Sequence, residues 1–448
     1  MIIKLVVLET TVGDMASRIG VSFLHGPMLV AAITSVCSSG FLLFGYDQGV
    51  MGGVVISDFW LAAMGQPSTL MVGTITALYD VGAVFGAIAA AFTAERMGRK
   101  YTLLLGSLIV IIGAIIMGTA FERIQFMVAR VITGIGIGYV TSVTPVYQSE
   151  ISAAAQRGWQ VCCQLTTMLF GLMLAYWINY GVYPRKDDFQ WRFPVIFQAV
   201  FGVYIWAITI WLPDTPRWLM RHDGNEERGL QVLARLRGLS PESETVQSEK
   251  DQIMDAIMIE AKEEGTWGDL FRDNGIAANK RFYLSLGIQF MQQMSGWMAT
   301  VWIYPPEILP LKIRAKGASL AAAADFLGNF LVVEITPPAL KNIGYKTYII
   351  FAVLNIVNAI IVWCFYPETA GITLESVDHL FVDEWTEDGV TNETVPLAGK
   401  LQWSVVRKAR QIVHDGKLRR RNLISSDNVI PKHDTLEEPH IETAASSL

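Results

Sequence analysis

The chain is short of charge. Only 17% of its 448 residues are Asp, Glu, Lys or Arg, while 52% are hydrophobic. Soluble domains carry about 25% charged residues, so this chain has too few charges to coat a globule and too much apolar sequence for one core. The net charge of -6 is small and argues against a nucleic-acid partner. Cysteine is scarce as well. Cys37, Cys162, Cys163 and Cys364 all lie in apolar blocks, none at metal or disulfide spacing, and read as small packing residues. No nucleophile–base pair, metal spacing or phosphate loop stands out, so neither an enzyme nor a cofactor is expected. The apolar run Met1 to Leu8 is broken by Lys4, followed by Glu9 and Asp14, and has no small-residue cleavage site. A signal peptide is therefore not expected.

What is present is apolar sequence in blocks of membrane-spanning length, with mean hydropathy +0.36. Blocks fall near 28–48, 70–94, 101–120, 124–146, 160–180 and 193–212. Each can cross a bilayer as a helix, which satisfies its own backbone there. A polar stretch follows to about 281, in which Leu230, Leu233 and Leu236 recur at helical spacing and predict short amphipathic helices. Then come blocks near 282–304, 316–336 and 347–366, and a polar tail with a basic cluster, expected to be mostly disordered. Arg96, Arg99, Lys100, Arg157 and the long polar stretch all fall on one side, which the positive-inside rule makes cytoplasmic. Arg123, Arg185, Lys186 and Arg192 fall on the other side and weaken the pattern, with acids beside them.

A spaced signature occurs twice. Glu150-Ile151 precedes Arg157 by the same interval as Glu307-Ile308 precedes Arg314, and Pro213-Asp214-Thr215 and Pro367-Glu368-Thr369 follow at matching distances. Such repetition marks two copies of one helical unit, the plan of transporters built from parallel halves. The copies are unequal. About 120 residues lead from the first block to Glu150, but only about 26 lead from Lys280-Arg281 to Glu307. The second half is short by roughly 95 residues, about four crossings of ~20 to 25 residues each. Block 282–304 then poses a problem, because it leaves the cytoplasmic side at Arg281 while the repeat demands that Arg314 be cytoplasmic too. Either the segment is re-entrant, or everything after it is inverted.

Several polar residues sit where the membrane should be. Asp47 ends the first block and Arg130 opens a run with Gly134, Gly136 and Gly138. An ionisable residue at that depth is a functional candidate by default, and a proton-binding carboxylate trading charge with Arg130 is one reading; a helix end in interfacial water is the other. Gln289, Gln292 and Gln293 share one helical face, with Gln164 and Asn329 as further amides. Uncharged donors and acceptors suit a ligand dense in hydroxyls, although helix–helix hydrogen bonding also uses such amides. Trp302 offers a flat face to a sugar ring or anchors the interface. Glu95, Arg96 and Arg99 close the second block around Gly98. They read as topology anchors, or with Glu150, Arg157, Glu307 and Arg314 as a breakable cytoplasmic gate network.

These residues together resemble the sugar porters of the major facilitator superfamily, in their fungal-type form. The resemblance runs from about Phe44 to Asp378. It is carried by Phe44-Gly45-Tyr46-Asp47-Gln48-Gly49, the Gly98-Arg99-Lys100 loop, Arg130 with Gly134, Glu150 with Arg157, and Gln164-Leu165. Pro213-Asp214-Thr215-Pro216-Arg217, Gln292-Gln293-Met294-Ser295-Gly296, Glu307 with Arg314, and Pro367-Glu368-Thr369 complete it. It implies twelve helices in two six-helix halves around a monosaccharide or polyol site contacted by Gln164, Gln292, Gln293, Trp302 and Asn329. It also implies proton coupling at Asp47 with Arg130 responding. The chain departs from the family in placing Met298 where an Asn is expected and Asp325-Phe326 where Asn-Trp is expected. From Trp297 it reads as the family's tenth helix, so the rest of helix seven, all of eight and nine, and the start of ten are missing.

The expected architecture is an all-α membrane protein of the two-bundle type. It comprises an N-terminal cytoplasmic segment 1–27, a complete six-helix bundle 28–212, a cytoplasmic linker 213–281, a C-terminal bundle 282–366 cut to about three membrane segments, and a cytoplasmic tail 367–448. The expected function is monosaccharide or polyol transport by alternating access, coupled to protons, in the plasma membrane. The alternative is a shortened product that does not transport. The expected partners are the sugar or polyol, protons and the lipid bilayer.

Overall fold

The computed structural model describes residues 24–152, 157–222, 226–262, 267–272, 278–295, 304–310 and 313–367. Among these, every regular element is a helix. The first, α1, spans Pro27–Val54, with proline in its first turn, where no backbone donor is needed. A short α2 (Asp58–Ala63) is capped by the Ser57 hydroxyl. Helix α3 (Thr69–Gly118) consists of two arms meeting at Gly98, whose φ of 84° is a conformation that only glycine adopts cheaply. Helices α4 (Arg123–Ile151), α5 (Arg157–Val182) and α6 (Phe189–Thr209) complete the first half. All of these except α2 are long and apolar enough to cross a membrane, and the two arms of α3 make the count six.

The half is packed backbone to backbone. A Cβ on Gly45 would meet the Met168 carbonyl oxygen, and one on Gly134 would lie 2.0 Å from that of Tyr79. Small residues of this kind let membrane helices approach closely where no hydrophobic force between them is available. Large apolar side chains such as Phe85, Phe121, Trp177 and Tyr180 are left exposed on the outside. The α1–α5 seam also gives direction. Gly45 faces Met168, Gly49 faces Leu172 and Gly53 faces Asn179, so the two helices run parallel.

The linker holds α7 (Pro216–His222), α8 (Glu226–Arg237) and α9 (Glu244–Lys262). Leu233 and Leu236 are buried as the helical spacing predicted, Leu236 against the first-half core and Leu233 in a linker cluster with Leu230 packed at its edge. The Arg235 carbonyl accepts from the Gly26 amide at 2.7 Å, and Arg237 reaches the Ile151 carbonyl at 3.3 Å and pairs with Glu249 at 2.5 Å. The linker is thereby fastened to both the start of α1 and the end of α4.

The second half has α10 (Ala278–Ser295), α11 (Tyr304–Ile308), α12 (Arg314–Ile343) and α13 (Lys346–Phe365). Only α12 and α13 meet the length and hydropathy of a membrane span. Of the apolar block expected over 282–304, α10 covers the part up to Ser295, and 296–303 lie outside the described residues. The Arg281 Nε at its start donates to the Ile308 carbonyl at the end of α11, and the Tyr366 hydroxyl near the end of the last helix donates to the Leu284 carbonyl at 3.1 Å. The described ends of the segment, Arg281 and Ile308, therefore lie on the same side. Of the two topologies that the sequence allowed, this contact agrees with the re-entrant one. Helix α12 runs parallel to α1, since Phe44 packs on Phe326 and Gln48 on Asn329. Helices α1, α5 and α12 all start on one side, and with them Arg157 and Arg314, as the duplication demands.

Candidate functional site

A polar cavity lies where the halves meet. Its walls are Phe44 and Gln48 from α1, Met168 from α5, Gln292 and Gln293 from α10, and Asp325, Phe326 and Asn329 from α12. The empty space amounts to about 310 Å³, a figure that includes open solvent at its mouth. Gln293 Nε2 donates to Asp325 Oδ1 at 2.9 Å, and Asn329 Nδ2 donates to Asp80 Oδ1 at 2.8 Å and lies 3.4 Å from Gln48 Oε1. The amide oxygens of Gln164, Gln289 and Gln292 and the amide nitrogen of Gln164 are buried without a partner. Buried polar atoms are normally satisfied, so amides left open beside a cavity are provision for a ligand or for water. Gln164 lies one helical turn before Met168 on α5. Gln289 is buried on the same helix as Gln292 but is not part of the cavity wall. Trp302 lies outside the described residues.

Asp47 and Arg130 form a closed pair within the first half. Arg130 Nη1 reaches Asp47 Oδ1 at 3.0 Å, Nη2 donates to the Thr76 carbonyl at 2.9 Å, and the guanidinium lies 4.7 Å from the Tyr79 ring centre. Both side chains are at most 2% exposed. Helix α1 continues past Asp47 to Val54, which rules out the reading of Asp47 as a helix end in interfacial water.

At the end of the first half where α1 and α5 begin, Arg99 Nη2 pairs with Glu150 Oε1 at 2.7 Å. Asp214 accepts from the backbone amides of Arg99 and Lys100 at 3.1 and 3.3 Å, which secures the corner at Gly98. The Glu95 carbonyl accepts from the Trp218 ring nitrogen at 2.8 Å. Arg96 is exposed. The side chains of Arg157, Glu307 and Arg314 lie outside the described residues. The described contacts join α3, α4 and the start of the linker, so this cluster braces the first half internally.

The residues that sequence reasoning passed over are Asp80, Gln48 and Asp214. A signal for Asp80 was available, since an acid in the middle of block 70–94 is as costly there as Asp47 is in its own block. Gln48 follows Asp47 directly. Asp214 was read only as part of a repeated motif, and its role at the Gly98 corner depends on contacts more than a hundred residues apart in sequence.

Comparison with known proteins agrees with this geometry. A family model described as "Sugar (and other) transporter" matches residues 31–301 and, separately, 296–381. The two matches meet where the missing helices were inferred. An MFS-type transporter of Aspergillus oryzae, oryC, is 31% identical over 465 aligned residues, covering 80% of this chain and 86% of the relative. The sugar transporter STL1 of Saccharomyces cerevisiae is 29% identical, covering 84% and 85%. Among solved structures, the proton:xylose symporter XylE bound to 6-bromo-6-deoxy-D-glucose superposes with a TM-score of 0.59 at 20% identity, covering 78% of this chain and 98% of that one. This last likeness speaks for the fold. The chain belongs to the sugar transporter family of the major facilitator superfamily.

Proposed function

We propose that the chain carries a hexose or polyol across the plasma membrane by alternating access, with a proton bound at Asp47 driving the cycle and both termini in the cytoplasm. The observation that carries this reading is the polar cavity between the halves, with the unpartnered Gln292 amide oxygen in its wall and Gln164 one turn from it. A neutral ligand rich in hydroxyls supplies both donors and acceptors to Gln164, Gln292, Gln293 and Asn329. The names of curated relatives support sugar as the class, among them a high-affinity glucose transporter of Kluyveromyces lactis at 27% identity. Proton coupling is supported by the buried pair. When Asp47 is neutralised, Arg130 loses its counter-charge and must seek another partner, which alters the packing of α1 on α4. The cluster of Glu95, Arg96, Arg99 and Glu150, with Arg157, Glu307 and Arg314 in the matching positions, serves as the cytoplasmic gate network.

Uptake of radiolabelled hexose and polyol into vesicles, with and without an inward proton gradient, tests the reading. Saturable uptake that the gradient stimulates is expected, with the stimulation lost in Asp47→Asn. Uptake indifferent to the gradient removes the coupling claim.

A second reading has its own support. Helix α13 buries none of its apolar window against protein, and the outer face of α5 leaves Phe170, Tyr176, Trp177 and Tyr180 uncovered. In this reading the chain binds sugar without completing a cycle. Sugar that protects the protein from thermal unfolding while no uptake occurs is its expected signature.

A further inference from the structure

We propose that Asp80 is a second proton-binding group, set across the boundary between the halves. Its role in a transport cycle rests on the reading above; the binding of the proton does not. Asp80 lies in the first arm of α3 and is 1% exposed. Its bonding partner, Asn329, belongs to the other half. The charged groups within electrostatic reach of Asp80 are Asp47 from α1, Arg130 from α4 and Asp325 from α12, with Tyr79 beside it on its own helix. Two carboxyl groups, Asp47 and Asp80, thus share one guanidinium, with Asp325 a third acid near Asp80. That guanidinium is already committed, to Asp47, to the Thr76 carbonyl and to the Tyr79 ring. A buried carboxylate without a cation of its own is costly, and binding a proton relieves that cost.

The cavity reaches the neighbours of Asp80, since Asn329, which bonds it, and Asp325 stand in the wall. Gln292, 4% exposed, holds an unpartnered amide oxygen in the cavity that Asp325 and Asn329 also line. The proton therefore comes from cavity water and returns to it.

The position gives the proton leverage that Asp47 lacks. The Asp47–Arg130 pair lies wholly inside the first half. The Asn329–Asp80 bond lies on the seam between α3 and α12, where Thr74 and Glu334 form a second bond at 2.7 Å and Thr69 and Lys341 a third at 3.5 Å. A hydrogen bond to an ionised carboxylate is about twice as strong as a neutral one. A proton added to Asp80 removes the charge and weakens the innermost bond of the seam, so the halves part more easily there.

Infrared difference spectroscopy on the purified full chain during a pH titration tests the proposal without requiring transport. A protonated-carboxyl carbonyl band that titrates, vanishes in Asp80→Asn and persists in Asp47→Asn is expected. In Asn329→Ala, which removes the bond but keeps the acid, the band should shift in frequency and titration midpoint. A band untouched by either change at these two positions overturns the proposal, as does a titration that follows sodium concentration in place of pH. In vesicles, the ratio of uptake with a proton gradient to uptake without one should fall to about one in Asp80→Asn. A chain that moves no sugar at all overturns the transport reading, while the infrared titration still decides the proton site.

Discussion

The first half of the molecule is joined backbone to backbone and the second side chain to side chain. In the first, the carbonyl of one helix lies against a glycine of the next at Gly45, Gly82, Gly134 and Gly171. In the second, Gly287, Gly317 and Gly328 meet only the Tyr366 hydroxyl, the Leu309 and Leu270 methyls, and the Gln293 and Phe290 side chains. Backbone contacts leave no slack, because moving one helix moves the other. Side-chain contacts can rearrange. The same contrast shows in exposure. Helix α1 buries Leu29, Ile33, Val36 and Phe41 almost fully, whereas α13 buries only Thr347. A rigid half and a loosely supported half are what remains when a repeat loses about four of its helices.

The sharpest way to break this comparison is to add one methyl on each side. Gly134→Ala drives a Cβ into the Tyr79 carbonyl, and overpacking of this kind costs ~1 to 3 kcal/mol or more. Gly328→Ala meets Gln293 Cβ at 3.1 Å and the Phe290 ring at 3.5 Å, which can give way. The gain of about 1 kcal/mol in helix propensity offsets that strain. Thermal unfolding in detergent should show a large loss for the first and almost none for the second. Equal losses would remove the contrast.

A middle-sized effect comes from the corner at Gly98. Burial pushes the Asp214 carboxyl up to about 6, against the opposing pull of the Thr215 amide and the Arg99 charge. The fold holds this proton more tightly than the unfolded chain does. The stability it contributes is fully present below the usual value of 3.8 and is lost as pH rises from there through about 6. Between those limits the unfolding temperature of the wild type should fall relative to Asp214→Asn. Parallel profiles would show that the carboxyl does not titrate in the fold. The matching acid of the second half, Glu368, lies outside the described residues.

The smallest effect is expected on the last helix. Ile356 is 63% exposed to the surroundings. Ile356→Ala should change stability by no more than about 0.5 kcal/mol. A loss of several kcal/mol in the same unfolding measurement would mean that protein, not lipid, covers this face.

Much of the fold was legible in advance because the membrane forces it. A block of about twenty apolar residues has helix as its one solution, so the six crossings of the first half and the last two of the second followed from composition. The motif residues Arg99, Glu150, Asp47 and Arg130 were legible as charges where charge is costly, but their pairing was not. Nothing in the spacing of Asp47 and Arg130 says that they touch. Block 282–304 was ambiguous because its length suits a span while its ends carry the same sidedness, and hydropathy cannot weigh the bond from Arg281 to Ile308 that closes it. Asp80 escaped notice because its partner Asn329 is 249 positions away.

The sequence by itself determined that the chain is a bundle of membrane helices, that it is built from a repeated unit, and that the second copy is short, because burial of backbone polar groups and the cost of charge in lipid act on local sequence. Only the tertiary structure decided that the described ends of the segment before α12 meet, that Gln292 faces a cavity between the halves, and that a carboxyl of one half is held by an amide of the other. Those outcomes depend on which helices lie side by side, and contacts between distant residues are fixed by packing in three dimensions, where periodicity along the chain carries no record of them.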